Sequence, residues 1–205
     1  YPMQIIGRTL GAALAMGNAC ILKPSEEACL TALAVGELAA EAGFPEGSIN
    51  IVPGLGAEAG LSLSQHPEVR HISFTGSVEV GQAIQTEAAK NLVPVTLELG
   101  GKSPQIVFED ADLDKAMPFL VNAGIQNAGQ TCSASSRILV SKEIYPELTG
   151  RMIEIYKKLT VGQALDDLNL GPVISKRQKN VIEKYIKVAR DLEELAIGNA
   201  MENLP

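Results

Sequence analysis

Two phrases carry reactive side chains, Glu98-Leu99-Gly100-Gly101-Lys102 and Gly129-Gln130-Thr131-Cys132-Ser133. One offers a carboxylate and the other a thiol, each among small residues that let backbone approach a bound molecule. A thiolate attacks carbonyl carbon well, and a carboxylate can afterwards take a proton from water. Together they can divide one difficult reaction into two easier steps. Cys132 stands in a polar, small-residue stretch from Asn127 to Ser136, too irregular for a helix core and too poor in large side chains to pack. A nucleophile and an ordinary loop thiol are both open there. Glu98 is the one acid of the apolar run Val95–Leu99. Buried and unpartnered, such a carboxyl would have a raised pKa and suit a general base. The other reading is a salt-bridged structural acid, with Lys102 as its partner. Cys20 in a strand and Cys29 on an apolar helix face read as inert core thiols.

Three further places could hold a ligand. Glycines 54, 56 and 60 follow one strand and open a helix, where backbone N–H groups can meet a phosphate or a ribose. The spacing is not G-x-G-x-x-G, because the last glycine comes one residue late. Phe74-Thr75-Gly76-Ser77 makes a second small-residue turn from strand to helix, with Ser77 also a helix cap. Two such turns on consecutive strands point to one extended nucleotide. Lys23 and Glu26 flank a helix entrance, either as a solvated charge pair or as contacts to ribose hydroxyls. A carboxylate there would repel a 2′-phosphate, which favours NAD over NADP.

The elements that must position these groups alternate. Helical spacing covers Ile5–Met16, stopped by Gly17-Asn18, and a short strand covers Ala19–Leu22. Ser25 is placed to cap a helix reaching Ala42; strands at Ile49–Val52, Val69–Phe74 and Val93–Leu97 alternate with helices, the last being Ser77–Ala89. Strands separated by helices mean repeated βαβ units and a parallel sheet, with ligands at the strand carboxyl ends. Lys23, Gly54, Thr75 and Glu98 all fall at such ends. Beyond Gly100 the pattern restarts: strands at Gln105–Phe108 and Ser136–Val140, helices at Asp112–Ile125, Glu143–Leu159 and Lys176–Ala196. The expected fold class is therefore α/β. A parallel-sheet dinucleotide-binding domain over residues 1–99 precedes part of a second α/β domain over residues 100–205.

Composition narrows the classes. The chain has 205 residues, 46% hydrophobic and 20% charged, which is ordinary for a globular protein. A net charge of −7 without any basic cluster argues against nucleic acid or an anionic membrane surface. No apolar run is long enough to span a bilayer. Three cysteines without paired spacing fit a reducing cytoplasm, and His66 and His71 lie far from them, so no metal site is expected. The chain opens on Tyr1 rather than Met and ends at Pro205 in a polar stretch, so a piece of a longer protein is expected.

Taken jointly, Lys23-Pro24-Ser25-Glu26, Phe74-Thr75-Gly76-Ser77, Glu98-Leu99-Gly100-Gly101-Lys102-Ser103-Pro104 and Gly129-Gln130-Thr131-Cys132, in this order and spacing, resemble the aldehyde dehydrogenase superfamily. The resemblance runs from Tyr1 to about Lys179. It implies that Cys132 attacks an aldehyde to give a thiohemiacetal, that hydride passes to a nicotinamide, and that Glu98 activates water to release the acid. It implies adenosine-ribose contacts at Lys23 and Glu26, adenine and pyrophosphate contacts at Gly56 and Gly60, and a pyrophosphate turn at Gly76 and Ser77. Phe74, Thr75 and Val80 would line the same groove, and the Leu99 backbone would approach the nicotinamide amide. The cofactor implied is NAD, the substrate a small aldehyde, and the assembly of the full-length protein a homodimer or homotetramer. The Cys132 N–H would be one oxyanion donor; the resemblance places the other, an Asn side chain, just ahead of Tyr1. A later Glu-x-Phe-Gly-Pro motif is likewise implied beyond this chain. Thr9 departs from the pattern, since many relatives carry Lys there. A cofactor-free cysteine esterase, and a non-catalytic piece of the same fold, are the competing readings.

Overall fold

The computed structural model describes residues 1–192, and they divide into two compact units, Tyr1–Leu99 and the described residues from Gly100 onward. In the first unit the elements are α1 (Pro2–Ala15), β1 (Cys20–Leu22), α2 (Leu30–Glu41), β2 (Ile49–Ile51), α3 (Leu61–Gln65), β3 (Ile72–Gly76), α4 (Val78–Lys90) and β4 (Val95–Leu99). A single π-helical turn, Gly56–Gly60, leads into α3. The second unit holds β5 (Ser103–Val107), α5 (Leu113–Ile125), a short 3₁₀ turn Gln126–Gly129, β6 (Ser135–Val140), α6 (Tyr145–Tyr156) and α7 (Lys176–Asp191). The expected final helix to Ala196 extends past Leu192, outside the described residues.

Every strand pair is parallel and joined through a helix, as the α/β pattern requires. In the first unit the ladders are β1 with β2 and β3 with β4, and among the described residues no ladder joins the two pairs. The parallel strands of the first unit are thus arranged as two βαβ pairs. Alternating strands and helices specify which strands follow one another, not which lie side by side. The two pairs are linked instead through helices. Gln65 of α3 donates to Glu87 of α4 at 2.7 Å, and the Asn91 side chain donates to the Gln65 carbonyl at 2.7 Å.

Small residues let the first unit pack closely. Ala32 and Ala88 are fully buried, with Ile6 and Val93 beside them in burial. The second unit has a larger apolar core, Val107, Leu113, Met117, Leu120, Leu148 and Met152, which locks α5 and α6 onto β5 and β6. Asp112 caps α5 by accepting from the Lys115 N–H at 3.2 Å.

The helix expected to start at Ser25 does not. α2 begins at Leu30 after Cys29, and Ser25 Oγ instead accepts the Glu27 N–H at 3.3 Å. A hydroxyl can close a local turn as readily as it caps a helix, and after Pro24 the turn wins. Cys29 accordingly precedes the helix rather than lying on its apolar face. Among the described residues, no helix is long and apolar enough to cross a membrane.

Candidate active site

Lys23 follows β1 directly, with its side chain 15% exposed. Its ammonium donates to the Pro24 carbonyl at 2.6 Å and to the Gly54 carbonyl at 2.7 Å, and lies 3.5 Å from Glu26 Oε2. These contacts tie the ends of β1 and β2 together, and the Lys23 stem passes over Gly60. The Glu26 carboxyl is held below the usual carboxylate range, first by its own backbone N–H and, against an opposing desolvation cost, further by Lys23 and the Gly56 N–H. Lys23, Glu26, Gly56 and Gly60 therefore form one cluster of a cation, an acid and the start of a helical turn. That donor set suits the hydroxyls and phosphates of a nucleotide. Lys23 donates to two carbonyls and pairs with Glu26, contacts that fix Glu26 and Gly54 in place.

β3 and β4 supply the second group. Thr75 is the register partner of Glu98, and Gly76 of Leu99. Side chains alternate across a strand, so Thr75 and Glu98 share one face while Phe74, Gly76, Leu97 and Leu99 share the other. On the first face Arg8 of α1 donates to Thr75 Oγ1 at 3.3 Å and lies 3.6 Å from Glu98 Oε1. On the second face the Phe74 ring lies over Gly76, where an added Cβ would come within 2.4 Å of it. A side chain at position 76 would collide with that ring, which explains the glycine. Ser77 Oγ accepts the Val80 N–H at 3.3 Å, capping α4, and both residues are exposed.

The structure corrects the expectation for Glu98. Its side chain is 52% exposed, so it lacks the burial that argument needed, and its partner is Arg8. Lys102 instead donates to the Gly101 carbonyl at 3.0 Å. Arg8 was absent from the expected site, although it is the sole charged residue between Tyr1 and Leu22. A lone cation in an apolar helix is the signal that could have found it.

In the second unit Cys132 is exposed on the loop between the 3₁₀ turn and β6. The loop is closed on itself and fixed where it enters β6. The Ala134 N–H donates to the Thr131 carbonyl at 3.1 Å, Ser135 Oγ donates to Gln105 Oε1 at 2.6 Å, and Arg137 Nε donates to the Lys102 carbonyl at 2.9 Å. Gly101 packs against the loop, since a Cβ there would stand 3.3 Å from the Cys132 carbonyl oxygen. Burial pushes the Cys20 thiol pKa up.

The sequence model of the aldehyde dehydrogenase family matches residues 1–203. The chain belongs to the aldehyde dehydrogenase family. Within that family it is 48% identical over 188 residues to aldehyde dehydrogenase, cytosolic 1, of Elephantulus edwardii, covering 91% of this chain and 38% of that protein. It is 41% identical over 199 residues to hydroxyisobutyraldehyde dehydrogenase of Mycolicibacterium austroafricanum, covering 97% and 40%. Among solved structures it is similar to betaine aldehyde dehydrogenase of Staphylococcus aureus in complex with NAD+, with a TM-score of 0.93 and 41% identity, covering 99% of this chain and 41% of that one. The chain thus spans about two fifths of the length of these family members.

Proposed function

We propose that the protein containing this chain oxidises a small aldehyde to the carboxylic acid with NAD. The observation that carries the reading is an exposed thiol, Cys132, on a loop hydrogen-bonded in place where it enters β6, in a chain of this family. Cys132 Sγ attacks the aldehyde carbon and forms the thiohemiacetal, while the Cys132 N–H donates to the developing oxyanion. Bound NAD supplies the hydride acceptor. The carbon then stands as a thioester on Cys132. Glu98 takes a proton from water, the hydroxide oxygen bonds to the acyl carbon, and the carboxylic acid leaves as the thiolate returns.

The first unit serves as the NAD-binding domain and the second as part of the catalytic domain. Glu26 accepts from the adenosine ribose hydroxyls, held in place by Lys23. Its negative charge disfavours the 2′-phosphate of NADP. Gly56 and Gly60 let the cofactor approach backbone N–H groups, and Gly76 and Ser77 present the start of α4 to the pyrophosphate. Phe74, Thr75 and Val80 flank that turn, and the Leu99 backbone meets the nicotinamide amide. Support for NAD comes from the fit of the Lys23–Glu26–Gly56 cluster to a ribose and from the NAD+ bound by the Staphylococcus aureus relative. A cytoplasmic homodimer or homotetramer is the assembly that goes with this reading.

The test is NADH formation by the full-length protein with short aliphatic and quaternary-ammonium aldehydes. Turnover with NAD, its loss in Cys132→Ala, and unchanged NAD binding in that variant support the assignment. Retained turnover in Cys132→Ala removes the nucleophile.

A further inference from the structure

The Cys132 thiol stands three residues beyond a stretch of left-handed backbone: Asn127 at φ 53°, Ala128 at φ 54° and Gly129 at φ 74°. Each non-glycine residue there costs roughly 1–2 kcal/mol. Asn tolerates the region through its short polar side chain and Gly has no Cβ, but Ala128 has neither excuse. Alanine is the strongest helix former, so this segment left alone would continue α5 in the right-handed sense. Something must hold it back.

Gln130 supplies the hold. Its backbone N–H and its Nε2 both donate to the Asn127 carbonyl, each at 3.1 Å. Asn127 Nδ2 donates in return to the Gln130 carbonyl at 3.1 Å. The remaining amide oxygen, Oε1, accepts the Ile174 N–H at 2.9 Å, 44 residues away in the stretch entering α7. The Gln130 side chain makes two of these four bonds, one that doubles the closure of the left-handed turn and one that anchors the turn to another part of the unit.

We propose that Gln130 is a positioning residue for Cys132, holding the strained turn that aims the thiol. This rests on the reading of Cys132 as nucleophile. With the clasp broken, Asn127 and Ala128 relax towards α5 and the thiol moves; a displacement of 1 Å can cost about a hundredfold in rate.

The experiment compares the full-length protein with Gln130→Ala and Gln130→Glu, each alone and combined with Ala128→Gly. Gln130→Ala lowers kcat about a hundredfold and leaves the KM for NAD in place. Adding Ala128→Gly recovers about tenfold, because glycine removes the penalty of the left-handed residue. A packing role for Gln130 would not respond to a change at position 128. Gln130→Glu keeps the acceptor for Ile174 but sets a carboxylate oxygen against the Asn127 carbonyl, so it falls in the same direction and decides the matter if the alanine variant does not fold. Unchanged kcat in either variant, or a loss that Ala128→Gly does not relieve, overturns the proposal. A second readout needs no turnover: the rate of iodoacetamide alkylation at Cys132, followed by peptide mass spectrometry. It shifts about tenfold in Gln130→Ala and returns with Ala128→Gly. A constant rate overturns the positioning role even in an active dehydrogenase. An inactive parent whose alkylation follows the expected pattern overturns the dehydrogenase reading and leaves the clasp standing.

Discussion

Arg8 and Glu98 form an ion pair at 3.6 Å, joining the first helix to the acid at the end of β4. The same guanidinium reaches Thr75, the register partner of Glu98, so one cation bridges both strands. Both side chains are about half exposed. An exposed pair gives little net stability because water competes for each charge. Arg8→Met should therefore lower unfolding stability by less than about 1 kcal/mol, with the difference fading at high salt. Urea unfolding at two salt concentrations measures this; a larger, salt-insensitive loss would contradict the exposed geometry.

The contrast is the second unit's core. Leu148 is 3% exposed among Val107, Leu113, Leu120 and Met152. Leu148→Ala should cost about 2–5 kcal/mol through lost transfer energy and the cavity left behind. A cost no greater than that of Arg8→Met in the same denaturation series would mean that this core is not packed as described.

Gly76 carries no side chain because the Phe74 ring occupies that space. Gly76→Ala must displace the ring at the turn assigned to the pyrophosphate. A turn reshaped in this way should bind NAD about tenfold more weakly. Calorimetric titration with NAD measures it, and an unchanged Kd would remove this turn from the cofactor site.

The Glu26 carboxyl titrates below its ordinary range. Because the folded value lies below the unfolded one, its contribution to stability is complete above about pH 4.3 and disappears as pH falls through the lowered folded value. The carboxylate also stays ionised, and able to accept from a ribose, to lower pH than a free glutamate. NAD affinity should keep the Glu26 contribution down to that acid limit. Glu26→Gln should lack that acid limb and discriminate less against NADP. An identical acid limb in the variant would assign the titration to another group.

The alternation of elements was readable because apolar periodicity and Gly or Pro punctuation mark strands and helices locally. Strand neighbours were not, since nothing in the β2 or β3 segment marks that no ladder joins them. Ser25 misled because the same hydroxyl chemistry closes turns and caps helices. At the site, Glu98 was legible as an acid in an apolar run, but its exposure and its partner depend on Arg8, 90 residues earlier. Thr75 and Phe74, adjacent in sequence, fall on opposite strand faces, as a period of two dictates. Gln130 could be seen only as one polar residue among small ones. Its meaning lies in backbone dihedrals at Asn127 and Ala128 and in a contact to Ile174, none of which composition or spacing reveals.

On the proposed function, the acyl carbon is held on Cys132 and released by Glu98. Glu98→Gln in the full-length protein isolates it. With aldehyde and NAD, the variant should produce about one NADH per active site in a burst and then stall. Intact-mass and peptide analysis should find the acyl group on Cys132. Sustained turnover at the parent rate, or a burst with no acyl group on that cysteine, would contradict the account.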